Sequence, residues 1–282
     1  MFLSSISVAL TYEVSEPTHF CMHLQAAQHE GQHVREERML VEPSLPLHDY
    51  CDPVKGNRFV RFDAQPGPLR IAYTAQVEVG YVTPPPDLAE SPVNAMPDEV
   101  LHFLLPTRYC ESDLLANAAQ QQFGKAAPGL ARVQAVSDWI HDNIAYVPGT
   151  SDATTTAQQI FVQRQGVCRD FAHLGITLCR ALNIPARLVA GYVFFDEPPQ
   201  DFHAVFEAWL DGRWVLFDPT RMAPVERLVR VGTGRDAKDV AFATLYGAAT
   251  LSNKEITVRE TPGSMATVSA GGANVTLLRA VA

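Results

Sequence analysis

The sequence predicts an α+β protein: a small all-β, sandwich-like unit at the amino end, then a core of helices packed on one side of an antiparallel sheet. Three observations predict it. Apolar residues alternate with polar or small ones at Ile6, Val8, Leu10, Tyr12 and Val14, and again at Ile71, Tyr73, Ala75, Val77 and Val79. That is the period of strands with one buried face. Between about residues 112 and 182 the apolar spacing becomes helical, and beyond Pro185 two strand-like runs flank the turn pair Asp211-Gly212.

Taken in order, residues 1–82 read as β structure, with shorter strand candidates at Arg38 to Val41 and Arg58 to Phe62. The interval 83–97 contains Pro84, Pro85, Pro86, Pro92 and Pro97 and reads as an extended linker. A helix capped by Ser112 is expected to run through Leu114, Leu115 and Ala118 to Phe123, where Gly124 stops it. Leu130, Val133, Val136, Ile140 and Ile144 mark a second helix. Thr154 to Thr156 begin a short third one.

Val167, Phe171, Leu174, Leu178 and Leu182 mark a fourth, between Gly166 and Pro185. A strand follows from Arg187 to Phe195, then a hairpin of His203 to Leu210 and Arg213 to Asp218. Asp236 to Leu245 is expected to be helical, Glu255 to Arg259 a strand, and 261–274 a loop. No internal repeat is visible.

The 282 residues are 47% hydrophobic and 19% charged, enough to bury a sizeable core. A formal charge of −9 argues against a nucleic-acid partner, which requires a basic face. No apolar run approaches the length needed to cross a membrane. The amino end lacks a basic region followed by an apolar stretch and a cleavage site. Five cysteines with no CxxC pair argue against a disulfide framework or zinc ribbon. Together these features give a cytoplasmic location as the expectation.

The chemistry concentrates in three residues. Cys168 falls in the first turn of the fourth helix, where unpaired N–H groups and the positive end of the dipole favour a thiolate and a backbone N–H is free to receive an oxyanion. The Asp211-Gly212 turn sets the register of the following hairpin, so Val205 faces Asp218 and His203 becomes the diagonal neighbour of Asp218 on one face. A thiol, an imidazole and a carboxylate in this arrangement are the parts of an activated cysteine nucleophile. Cys179, in mid-helix, reads as a buried structural cysteine.

Gly166-Val167-Cys168-Arg169-Asp170-Phe171-Ala172, Leu182 to Arg187, Gly191-Tyr192, His203-Ala204 with Trp209, and Trp214 with Asp218-Pro219-Thr220 resemble the core of the transglutaminase-like superfamily. The resemblance covers about residues 98–245, and Leu105 to Asp113 is similar to a stretch of its bacterial subgroup. It implies a papain-like core over 98–282, preceded by the amino-terminal β domain that bacterial members carry. It also implies Cys168 as nucleophile, His203 as general base and then acid, and Asp218 as the residue orienting the imidazole. The expected activity is cysteine-dependent acyl transfer on peptide or side-chain amides through a thioester. Water as second nucleophile gives a cysteine protease or amidase, and an amine gives a transglutaminase. Hydrolysis is preferred because of the breadth of the superfamily.

The expected partner is a protein or peptide substrate, and no cofactor or metal is called for. No EF-hand-like calcium loop occurs, and Gly232 to Arg235 is only a fragment of a phosphate loop. Cys21, His23, His29 and His33 match no standard zinc spacing and read as histidines of a β surface. Two readings of another class remain. One is a scaffold that keeps the fold without turnover, and the other is a zinc site made from Cys168, His203 and Asp218. Tyr109 and Cys110 lie near the domain junction, and Glu207 shares a face with His203 by strand alternation, which leaves room for a supporting hydrogen bond behind the site.

Overall fold

The computed structural model describes residues 2–262. In chain order the strands β1 (Phe2–Val14), β2 (Thr18–Met22), β3 (Gln32–Glu42), β4 (His48–Cys51), β5 (Arg58–Ala64) and β6 (Gly67–Val79) come first. Then follow α1 (Asp98–Leu101), α2 (Ala116–Phe123), α3 (Leu130–Asn143), β7 (Ala145–Tyr146), α4 (Ala157–Gln163), β8 (Gln165–Gly166) and α5 (Cys168–Ala181). The chain continues with β9 (Ala186–Tyr192), β10 (His203–Leu210), β11 (Arg213–Phe217), β12 (Val229–Gly234), β13 (Ala243–Tyr246) and β14 (Ala249–Pro262).

Two four-stranded sheets, ordered β14-β1-β6-β3 and β13-β2-β5-β4, form a sandwich. Its interior is supplied by the alternating residues of β1 and β6 together with Phe20, Met22, Val60 and Phe62. The third sheet, β11-β10-β9-β12, carries α5 on one face. Phe206, Ala208, Leu188 and Val215 of that sheet meet Phe171, Leu174 and Leu178 of α5 in a second core. The approach is close: a Cβ on Gly175 would lie 2.5 Å from the Phe206 ring, so only glycine lets helix and sheet touch there.

The chain does not keep to the expected boundary at residue 98. β13 pairs with β2 and β14 pairs with β1 along its whole length, so residues 243–262 complete the amino-terminal sandwich. The helix expected over Asp236 to Leu245 is therefore corrected. Asp236 to Asp239 form a turn whose carboxylates accept local N–H groups, and Ala243 to Tyr246 are zipped onto a strand more than 200 residues away in sequence. Non-local pairing overrides local spacing here.

The proline-rich interval 83–97 carries one turn of 3₁₀ helix, Val93–Ala95, and is strapped to the core rather than free. Leu88 is buried, and Glu90 accepts hydrogen bonds from the Gly129 N–H (2.8 Å) and Arg132 Nη1 (3.0 Å). Ser112 is not a helix cap: residues 111–115 form turns, and α2 begins after Leu115. Gly232 to Gly234 lie in buried β12, so no phosphate loop forms there. The loop expected over 261–274 lies outside the described residues from 263 onward. Among the described residues no helix is long and apolar enough to cross a membrane.

Candidate active site

Cys168 opens α5 at the end of the two-stranded parallel pair β7-β8. The residue before it, Val167, is extended, and the Asp170 carboxylate turns back to accept the Val167 N–H at 2.9 Å. This satisfies one of the donors a helix start leaves unpaired. Asp170 also accepts from Arg169 (2.8 Å) and from the Ser151 hydroxyl. A Cβ on Gly166 would sit 2.8 Å from the Asp170 Cβ, so the glycine makes room for the carboxylate that fixes the turn into the helix. Cys168 is half-buried, and its thiol lies 3.9 Å from the carbonyl oxygen of Phe202, the residue before His203.

The hairpin forms in the expected register, with Leu210 opposite Arg213, Trp209 opposite Trp214 and Phe206 opposite Phe217. Asp211 (φ 45°) and Gly212 (φ 76°) both take positive φ, the requirement of a tight two-residue turn. Continuing that register brings His203 to Asp218: Nε2 and Oδ2 are 2.8 Å apart, both side chains buried. The other Asp218 oxygen accepts the Thr220 N–H (2.9 Å) and hydroxyl (2.7 Å), which pins the carboxylate from behind.

His203 Nδ1 is buried with no partner of good hydrogen-bond geometry, so the ring offers one free nitrogen on the side of Cys168. Burial alone would lower the imidazole pKa. The hydrogen bond to Asp218, the neighbouring Cys168 thiol and the charges of both outweigh it and push the value up to about 10.

Sequence spacing gave no sign of Tyr146. Its two-residue strand pairs with Gln165 and Gly166, which sets its side chain beside Cys168 and its ring 5.9 Å from that of Phe171. Burial, then the charge of Cys168, raise the phenol's pKa, which marks Tyr146 as a neighbour of the thiol. The only local hint is an aromatic residue after the Leu130 to Ile144 apolar repeat, which is far too common to single out.

The other candidates fall elsewhere. Glu207 does not reach His203; it is claimed by Arg187 (2.7 Å) and Arg230. Cys110 is buried, which pushes its thiol up to about 12, and Tyr109 stacks on His173 with ring centroids 5.3 Å apart. Cys179 is buried in the α5 core, with its pKa raised. His23 is buried against the Val231 carbonyl (3.1 Å), whereas His29 and His33 line a separate cavity. Among the described residues no group of three or more His, Cys, Asp or Glu side chains is placed to hold a metal.

The model of the transglutaminase-like superfamily matches residues 116–219, a span that holds Cys168, His203 and Asp218. The model of the bacterial transglutaminase amino-terminal domain matches residues 4–98. A crystal structure of a candidate cysteine protease from Cytophaga hutchinsonii is 39% identical, covers 93% of this chain and 91% of its own, and superposes with a TM-score of 0.88. The chain belongs to the transglutaminase-like superfamily. Uncharacterised proteins of Mycobacterium leprae and Mycobacterium tuberculosis are 34% and 31% identical over 155 and 143 residues. The chain spans about half the length of these curated relatives, 53% and 46%. Within the superfamily, the fold and the candidate cysteine-protease relative support cysteine-dependent chemistry in general terms.

Proposed function

We propose that this protein is a cysteine-dependent acyl-transfer enzyme acting on amides of a peptide or protein, with Cys168, His203 and Asp218 as its catalytic residues. The observation that carries the reading is the His203–Asp218 contact of 2.8 Å, which leaves Nδ1 as the one free ring nitrogen, next to a cysteine at a helix start. The Cys168 Sγ–H proton passes to His203 Nδ1, and the thiolate attacks the substrate carbonyl carbon. The oxyanion is received by the Cys168 backbone N–H, and the Tyr146 hydroxyl beside that amide is the second donor. The C–N bond then breaks, and the departing amine takes the proton from Nδ1, leaving a thioester on Cys168. Water, deprotonated by Nδ1, attacks the thioester carbonyl. The C–S bond breaks, the acid is released and the thiol is restored. Asp218 holds the ring in place and stabilises the imidazolium throughout.

Hydrolysis is favoured over amine transfer by the cysteine-protease relative, and the reducing compartment suggested by the free cysteines is the cytoplasm. The test is incubation with peptide and protein amides, with and without a primary amine, followed by mass spectrometry. Free acids that persist in the presence of amine are expected. New secondary amides would replace hydrolysis with transglutamination. Neither product, with Cys168 still able to be alkylated, would favour a scaffold.

A further inference from the structure

On the face of the catalytic sheet away from α5, Glu207 of β10 is held by two guanidinium groups. Arg187 Nε is 2.7 Å from one carboxylate oxygen, and Arg230 Nη2 bonds the other. Glu207 and Arg230 are buried, Arg187 is half-buried, and the trio carries one net positive charge. Arg187 is further covered by Trp214, 4.1 Å above its ring. Arg230 is answered only at Nη2: its Nη1 is buried and has no hydrogen-bond partner among the described residues. An uncompensated buried guanidinium is costly unless an anion answers it.

Arg230 lines a cavity of about 740 Å³ between the amino-terminal sandwich and this sheet. Trp214 and Leu216 give the cavity an apolar wall. His29, at its edge, accepts the Gly31 N–H at Nδ1 (2.9 Å), which leaves Nε2–H as the neutral ring's donor. Among the described residues Glu207 is the carboxylate paired with Arg230: of those around the cavity, Glu78 is paired with Arg35, and neither Glu30 nor Glu226 forms an ion pair with Arg230. The site is separate from the catalytic cleft. Glu207 lies four residues beyond His203 on β10, about 13 Å at 3.3 Å per residue. Buried Val189, Val205 and Leu228 fill the space between.

We propose that this cavity binds a monoanionic carboxylate, with its carboxylate on the Arg230 guanidinium and its apolar body against Trp214. One charge is uncompensated, and the planar fork of arginine matches a carboxylate. The test is calorimetric titration of the full chain with N-acetyl-alanyl-alanine, its carboxy-terminal amide, and propionate. Saturable binding of the acid is expected, with the amide weaker by about tenfold or more. Propionate binding as tightly as the peptide acid points to a small organic acid, and weaker propionate binding points to a chain terminus; either supports the site.

Arg230→Gln leaves Glu207 paired with Arg187. It is expected to weaken acid binding about tenfold or more while Cys168 alkylation stays unchanged. If Arg230→Gln does not fold, Arg230→Lys keeps the charge and is expected to weaken binding about threefold or more, by loss of the fork. Equal affinity for acid and amide, no saturation by either acid at about 10 mM, or an unchanged affinity in the substituted protein that folds would overturn the proposal. The readout is binding, so it stands or falls independently of turnover at Cys168.

Discussion

His203 and His173 are each 1% exposed, yet their surroundings push them in opposite directions. For His173, burial and then the charge of Arg169 lower the pKa to about 3, so the ring is neutral and its Nε2 accepts the Ala237 N–H at 3.0 Å. For His203, burial acts the same way, but the Asp218 carboxylate and the Cys168 thiol reverse it and raise the value to about 10. The difference lies in the partner: a backbone donor needs a lone pair, whereas a carboxylate needs a proton. Burial then amplifies whichever state the partner selects. One imidazole holds the fold together; the other is set up to carry a proton.

The largest effects are expected at His203 itself. His203→Ala is expected to lower amide turnover by about 10⁴-fold or more, and Cys168→Ala to do the same, with little further loss in the double variant. Steady-state kinetics of the three proteins check this. Asp218→Asn removes the charge that separates the two histidines. Turnover should fall by about 10²–10⁴-fold, with the fold retained by circular dichroism. Tyr146→Phe deletes only a hydroxyl. If that hydroxyl serves the oxyanion, kcat should drop about 10²-fold with KM little changed; an unchanged kcat would remove Tyr146 from the mechanism.

His173→Ala should leave turnover per folded molecule near that of the parent. It should cost about 1–3 kcal/mol of stability, because the Ala237 N–H loses its acceptor in a buried place.

The two rings also differ in the pH range over which each stabilises the fold. The His203 value is raised in the folded protein, so its contribution is fully present below about 6.5 and is lost as pH rises through about 10. The His173 value is depressed, so its contribution is present above about 6.5 and is lost as pH falls towards about 3. Denaturant unfolding across pH should show the alkaline loss shrink in His203→Ala and the acid loss shrink in His173→Ala.

Much of the site was legible because its geometry is local. The Asp211-Gly212 turn admits one register, and that register alone carries His203 to Asp218. The α5 repeat and Gly166 place Cys168 at a helix start. What was not legible depends on distant partners. Tyr146 reaches Cys168 only because β7 pairs with β8. Alternation put Glu207 on the face of His203, but β9 lays Arg187 directly opposite it and β12 delivers Arg230, and two guanidiniums outbid one imidazole. The return of residues 243–262 to the first sheets is likewise written in edges left open by β1 and β2, not in the segment's own spacing.

The most direct measurement is the rate of iodoacetamide alkylation of each cysteine near neutral pH, read by mass spectrometry in the parent, His203→Ala and His173→Ala proteins. Cys168 is expected to label faster than exposed Cys51 and half-buried Cys21. This advantage should disappear in His203→Ala and survive in His173→Ala. Labelling of Cys168 no faster than Cys51, or unaltered by loss of His203, would contradict an activated cysteine–imidazole pair.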